Sequence, residues 1–235
     1  MTLGTQVRKG RRRPFFGWWV VLTGFLSDLA MAPNSPHIVG FFLIPMTQAL
    51  GIGRGAFSLV YSIRTFTEGI AGPVIGRLLD RYGPRSLMAG GALIAGLTLM
   101  SLGIVQNLWQ FAVVMGIFGL ASTACMGRLV AGVTVARWFV RKRGRAIALI
   151  TTGFSLGIAI FSPVAQGLIS RVGWRWTWVI LGACVWILIV PASLAFMRKN
   201  PEVMGLRPDG DSVDDRSDRS EQGIASAGKE EIGWT

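Results

Sequence analysis

The chain has 235 residues, is 51% hydrophobic and only 15% charged, and carries a formal net charge of +12. A soluble domain of this size needs far more charge to cover its surface, so the composition excludes an ordinary water-soluble enzyme. Residues 1–200 carry 20 Lys/Arg against three acids, and residues 201–235 carry four against nine, so the total divides into +17 and −5.

The basic tail 1–14 holds Arg8, Lys9, Arg11, Arg12 and Arg13. Six predominantly apolar stretches follow, at 15–45, 56–75, 86–105, 108–135, 146–169 and 174–196. Each is long enough to cross a bilayer as a helix. The first is too long for a signal peptide or a single straight helix, and Pro33 and Pro36 interrupt it. Short connections make successive helices antiparallel neighbours.

Lys and Arg concentrate in alternate connections. Arg77, Arg81 and Arg85 lie between the second and third spans, and Arg137, Arg141, Lys142, Arg143 and Arg145 between the fourth and fifth. Arg198 and Lys199 follow the sixth, while the opposite side has Arg54, Arg171 and Arg175. Both termini are therefore expected in the cytoplasm. Arginines that punctuate apolar runs in this way argue against nucleic-acid binding. Trp18, Trp19, Trp109, Trp138, Trp174, Trp176 and Trp178 fall near span ends, where indole rings favour the headgroup region. Residues 199–235, rich in Asp, Ser and Gly, have too little apolar area to fold and read as a flexible cytoplasmic tail. Cys125 and Cys184 lie inside apolar runs and read as small buried hydrophobes, not as metal ligands or a disulfide.

Charges at membrane depth need a partner or a wet cavity. Arg128 on the fourth span is the leading candidate for contact with an anionic substrate, because Ala121, Cys125 and Gly132 leave space on its face. Its alternative is a structural pair with Asp28 or Glu68. Arg64 and Glu68 lie four apart on one face of the second span. Either they neutralise one another, or Glu68 exchanges a proton while Arg64 assists the anion. Pro33-Asn34-Ser35-Pro36-His37 breaks the first span and brings Asn34 and His37 to membrane depth. Asn34 and His37 are thus substrate-contact candidates, and Glu68, Asp28 and His37 are proton-coupling candidates. Gly116, Gly119, Gly127 and Gly132, with Gly153 and Gly157, are expected to let helices approach closely.

Residues 76–87 carry Gly76, Leu78, Asp80, Arg81, Gly83 and Arg85 in the pattern G-x-L-x-D-R-x-G-x-R. This resembles the loop after the second helix of major facilitator transporters. Phe16-Gly17-Trp18-Trp19-Val20-Val21 is similar to the first span of the monocarboxylate-transporter-like and oxalate/formate-antiporter-like branch. Residues 136–146 with Gly153 and Gly157, and Pro201-Glu202 through Gly205-Leu206 to Pro208-Asp209-Gly210, resemble later segments of the same branch.

The resemblance implies an all-α membrane fold of two six-helix bundles that alternately expose a central site, with this chain supplying the N-terminal bundle. It further implies that Asp80, supported by the loop arginines, closes against a helix of the second bundle. Arg11-Arg12-Arg13-Pro14 replaces the acidic residue that often precedes the first span, and the chain ends at Thr235, where a second bundle is expected to begin.

The expectation is an inner-membrane secondary transporter for small organic anions, coupled to a proton or a counter-anion. It has no enzyme chemistry, metal or cofactor. Its partners are the bilayer and a second six-helix half or a second copy. Export of hydrophobic or drug-like compounds is the alternative within transport. Outside transport, a truncated, non-transporting membrane fragment stays open.

Overall fold

The computed structural model describes residues 16–125 and 130–197; the basic tail, residues 126–129 with Arg128, and the segment from residue 198 onward lie outside the described residues. The expected tails at 1–14 and 199–235 therefore fall outside as well. All regular structure among the described residues is helical.

Helix α1 (Gly17–Met31) runs into a 3-10 turn (Ala32–Asn34) and then α2 (Pro36–Leu50). Proline dictates this break. Pro33 and Pro36 lack N–H groups, so the helical ladder fails at both. Ala32 N–H still reaches Leu29 O, but Ser35 is extended, at φ −68° and ψ 152°. The ladder restarts with Ile38 and Val39 both donating to Ser35 O, which leaves Asn34 O without its helical partner. Gly51, in the left-handed conformation at φ 64°, caps α2.

Helix α3 (Arg54–Ser101) contains one non-helical residue, Gly83, at φ 80° and ψ 166°. Only glycine occupies that region readily. Gly119 on α4 (Leu108–Cys125) packs on the Arg64 carbonyl, whereas Gly91 packs on Ala121 and Ala124. Residues 64 and 91 would stand about 40 Å apart on a straight helix, while residues 119 and 124 are separated by about 7.5 Å. The chain therefore folds back at Gly83, making two arms, 54–82 and 84–101.

The same geometry recurs in α6 (Arg143–Phe196), where Gly173 has φ 81° and ψ 164°. Ile150 packs at Gly24, and the Thr23 hydroxyl reaches the Ala192 carbonyl at 3.4 Å. A straight helix would put residues 150 and 192 about 60 Å apart. Helix α5 (Val130–Trp138) precedes this pair of arms.

Among the described residues, three runs are long and apolar enough to cross a membrane by length and composition: Arg54–Ile104, Leu108–Trp138 and Arg143–Phe196. The charged segment 76–87, expected as a loop, is helical except at Gly83. One glycine makes the reversal, and Pro84 begins the next arm, where its missing N–H costs nothing.

Close helix approach depends on missing side chains. A Cβ at Gly153 would strike the Phe25 carbonyl, and one at Gly157 would lie 2.7 Å from the Leu29 carbonyl. The first arm of α6 thus lies directly on α1. Gly116 is only in ordinary contact, and a Cβ at Gly132 would meet nothing within 4 Å.

Two buried clusters form the interior. One surrounds Phe42, Phe111, Phe118 and Trp178; the other surrounds Trp138, Phe139, Leu79 and Met88. Trp138 and Trp178 are fully buried and Trp174 nearly so, while Trp109 and Trp176 are exposed. Position near a span end does not make an indole interfacial: Trp178 stacks on Phe42 at 4.2 Å, and Trp138 packs against Phe16 at 5.6 Å.

Candidate functional site

The most concentrated polar cluster among the described residues lies where the broken first segment meets the first arm of α3. Arg64 is only 5% exposed. Its Nη2 pairs with Glu68 Oε2 at 3.1 Å, one turn along the same helix. Its Nη1 donates to the Tyr61 hydroxyl at 2.8 Å. The Tyr61 hydroxyl in turn donates to Asn34 O at 3.2 Å, and Arg64 Nη1 reaches that carbonyl at 3.5 Å. With the Asn34 amide oxygen turned toward the guanidinium, it accepts from Nη2 at 2.6 Å and from Nε at 3.1 Å. The Asn34 carbonyl, passed over when Ile38 N–H turns to Ser35 O, is thus taken up by Tyr61 and Arg64.

Aromatic faces complete the surroundings. The guanidinium carbon lies 5.1 Å from the Tyr61 ring centroid and 5.5 Å from that of Phe118. Gly119, one residue beyond Phe118, lets α4 rest on the Arg64 carbonyl. Thr123 donates to Glu68 O at 3.3 Å. Glu68 itself keeps 25% of its side chain exposed, so the carboxylate is the accessible member of the pair.

Arg64 and Glu68 are therefore brought together as their four-residue spacing implies, and Asn34, thirty residues earlier, joins them from the helix break. Tyr61 and Phe118 were missed, although Tyr61, three residues before Arg64, could have been found from helical spacing. His37 is exposed and makes none of these contacts. Asp28, on α1, is buried and makes none of these contacts either. Arg128, the leading sequence candidate, lies outside the described residues.

A cavity of about 320 Å³ opens beside the cluster between α2 and the first arm of α3. Tyr61, Ser58 and Ser62 supply its polar lining, and Val39, Leu43 and Phe57 much of the rest. Tyr61 belongs both to this cavity and to the Arg64 network.

At the other end of the same arm, Asp80 pairs with Arg137 Nη2, from the last turn of α5, at 3.2 Å. This pair is exposed, at 73% for Asp80 and 37% for Arg137. Arg81 lies over the Tyr82 ring at 5.4 Å. Gly76 and Arg85 are exposed, and Gly83 is the turn itself.

The model of the Major Facilitator Superfamily matches residues 20–230. The chain belongs to that superfamily. It is accordingly a multi-pass membrane protein of a transporter family. It is 29% identical over 192 residues to the uncharacterized MFS-type transporter YcxA of Bacillus subtilis, covering 81% of this chain and 46% of that protein. It is 33% identical over 105 residues to the fujikurins efflux protein of Gibberella fujikuroi, covering 45% and 22%. It is 28% identical over 165 residues to human monocarboxylate transporter 6, covering 70% and 32%. The chain thus spans less than half the length of each of these major facilitator relatives.

Proposed function

We propose that the chain is the first six-span bundle of a secondary active transporter for small organic anions. In this reading α1 and α2 form one broken span. The two arms of α3, the run Leu108–Trp138 and the two arms of α6 make the other five. The Lys/Arg bias of the connections supports cytoplasmic termini, with the bundle in the inner membrane. A second bundle, from another polypeptide segment or a second copy, closes the central site.

The supporting observation is the buried Arg64 at the helix break. All of its donors are engaged, and its one ionic partner among the described residues, Glu68, is also the part of the cluster most open to exchange. A proton arriving on Glu68 removes the charge that neutralises Arg64. An incoming carboxylate then takes that place as the ionic partner on Nη2. When the anion leaves, Glu68 re-pairs and gives up its proton. Anion and proton therefore travel together, which is the chemistry of symport. The 320 Å³ cavity beside Tyr61 is sized for the body of a small acid. Arg128 supplies a second cationic contact, and Asp28 and His37 are further proton carriers. Gly76, Asp80, Arg81, Gly83 and Arg85 form the cytoplasmic gate.

Export of a hydrophobic compound is the second reading, favoured by the likeness to a protein named for fujikurin efflux. Uptake of labelled lactate, pyruvate and oxalate into proteoliposomes holding this bundle with its second half separates the two. A proton gradient is expected to drive uptake, and Arg64→Gln and Arg128→Ala to abolish it. Anion uptake intact in both variants overturns the anion reading, and a flux of apolar compounds alone supports the exporter.

A further inference from the structure

A second cavity, of about 460 Å³, lies between the two arms of α3 and α4, away from the Arg64 cluster. Its walls are almost wholly carbon, from Ile75, Leu78, Ile94, Ile117 and Leu120. Gly90 forms part of the lining, and a side chain there would meet nothing within 4 Å. Ile94, Ile117 and Leu120 are 51%, 43% and 47% exposed, so the cavity is a groove open along its side.

Polarity appears at one end only. Tyr82 and Ser86 line the groove on either side of the Gly83 turn. Arg81 lies over the Tyr82 ring, Arg85 is exposed two residues beyond the turn, and Arg77 is exposed on the arm before it. The single acid of residues 76–87, Asp80, already binds Arg137. The mouth is therefore strongly cationic and the body apolar. From Tyr82 back to Ile75, and from Ser86 on to Ile94, the groove runs about 10–12 Å along the helices.

We infer that this groove holds an acyl chain of an anionic phospholipid, with the headgroup phosphate on Arg81 and Arg85. Arginine suits a phosphate through paired, charge-assisted hydrogen bonds. Basic side chains at the face of a membrane-spanning bundle attract anionic lipid specifically. The inference takes from the reading above the placement of the Gly83 turn at a membrane face, and it shares Arg81 and Arg85 with the gate proposed there. It needs no transport.

The test is lipid binding to the purified, delipidated chain in neutral detergent, comparing labelled dioleoyl phosphatidylglycerol with dioleoyl phosphatidylcholine. Phosphatidylglycerol is expected to bind about tenfold more tightly, given two cationic contacts. Arg81→Gln with Arg85→Gln is expected to erase that preference. Gly90→Leu, which fills the groove, is expected to weaken phosphatidylglycerol binding, with helical content by circular dichroism unchanged. Leu120→Trp repeats the filling test from an exposed position if Gly90→Leu does not fold. Equal binding of the two lipids overturns the inference, as does a preference that survives the arginine changes or the filled groove. Displacement of the lipid by equimolar inorganic phosphate or glycerol phosphate also overturns it, since it marks a soluble-anion site. Arg64→Gln is expected to leave lipid preference intact, so a failure of the transport reading is read separately.

Discussion

Asn34 and Arg64, thirty residues apart in the chain, are joined at the point where the first segment loses its helical ladder. The Asn34 main-chain carbonyl accepts from Arg64 Nη1 at 3.5 Å and from the Tyr61 hydroxyl at 3.2 Å. A backbone defect and a buried charge thus satisfy one another.

Arg64 and Glu68 are expected to behave as a unit. Arg64→Gln alone leaves a carboxylate without its ion partner beside aromatic rings, which destabilises the bundle by about 1–3 kcal/mol, given that Glu68 is partly exposed. Arg64→Gln with Glu68→Gln is expected to recover much of that loss. Thermal unfolding in detergent across the double-mutant cycle measures the coupling. Additive losses would show that the pair is not a unit.

The reversals at Gly83 and Gly173 are expected to tolerate no side chain. Alanine at either position must adopt φ near 80°, at about 1–3 kcal/mol each, although at Gly173 its methyl group meets no neighbour within 4 Å. Lowered melting temperatures for both variants, with unchanged helical content at 20 °C, check this.

Helix contact at Gly153 and Gly157 is expected to respond to size. Gly153→Val and Gly157→Val push the first arm of α6 off α1, lowering stability by about 1–3 kcal/mol or more. Gly167→Ala, on the same arm with nothing within 4 Å, is the control and is expected to be neutral or slightly stabilising. Indistinguishable melting curves for Gly157→Val and the control would contradict the packing argument.

The Asp80–Arg137 pair is expected to matter for function more than for stability. Both partners are solvent-exposed, so Asp80→Asn costs less than about 1 kcal/mol, and raising salt narrows the difference. If Asp80 gates the transport cycle, the same variant lowers flux in proteoliposomes several-fold. Equal flux with equal stability would remove Asp80 from the gate.

Much of this architecture was legible in the sequence because proline and glycine punctuate backbone directly. Pro33 and Pro36 locate the break, and the Gly83-Pro84 pair locates a reversal. The Arg64–Glu68 pair was legible because four-residue spacing on a helix is contact. What crosses between helices was not. Nothing in the spacing joins Asp80 to Arg137, Phe118 to Arg64, or Trp178 to Phe42. In a soluble helix the apolar stripe marks the inward face. Here the outward face is apolar too, so Trp138 and Trp178 carry no signal that separates core from headgroup region.

Because the oxygen that steadies Arg64 at residue 34 includes one from the main chain, part of the anchor has no genetic letter of its own. Any residue at 34 presents that carbonyl, provided the break keeps Ile38 N–H on Ser35 O. Orientation of the buried cation is thus vested in two prolines nearly thirty positions upstream. Restoring a continuous helix there would disarm the arginine without touching it.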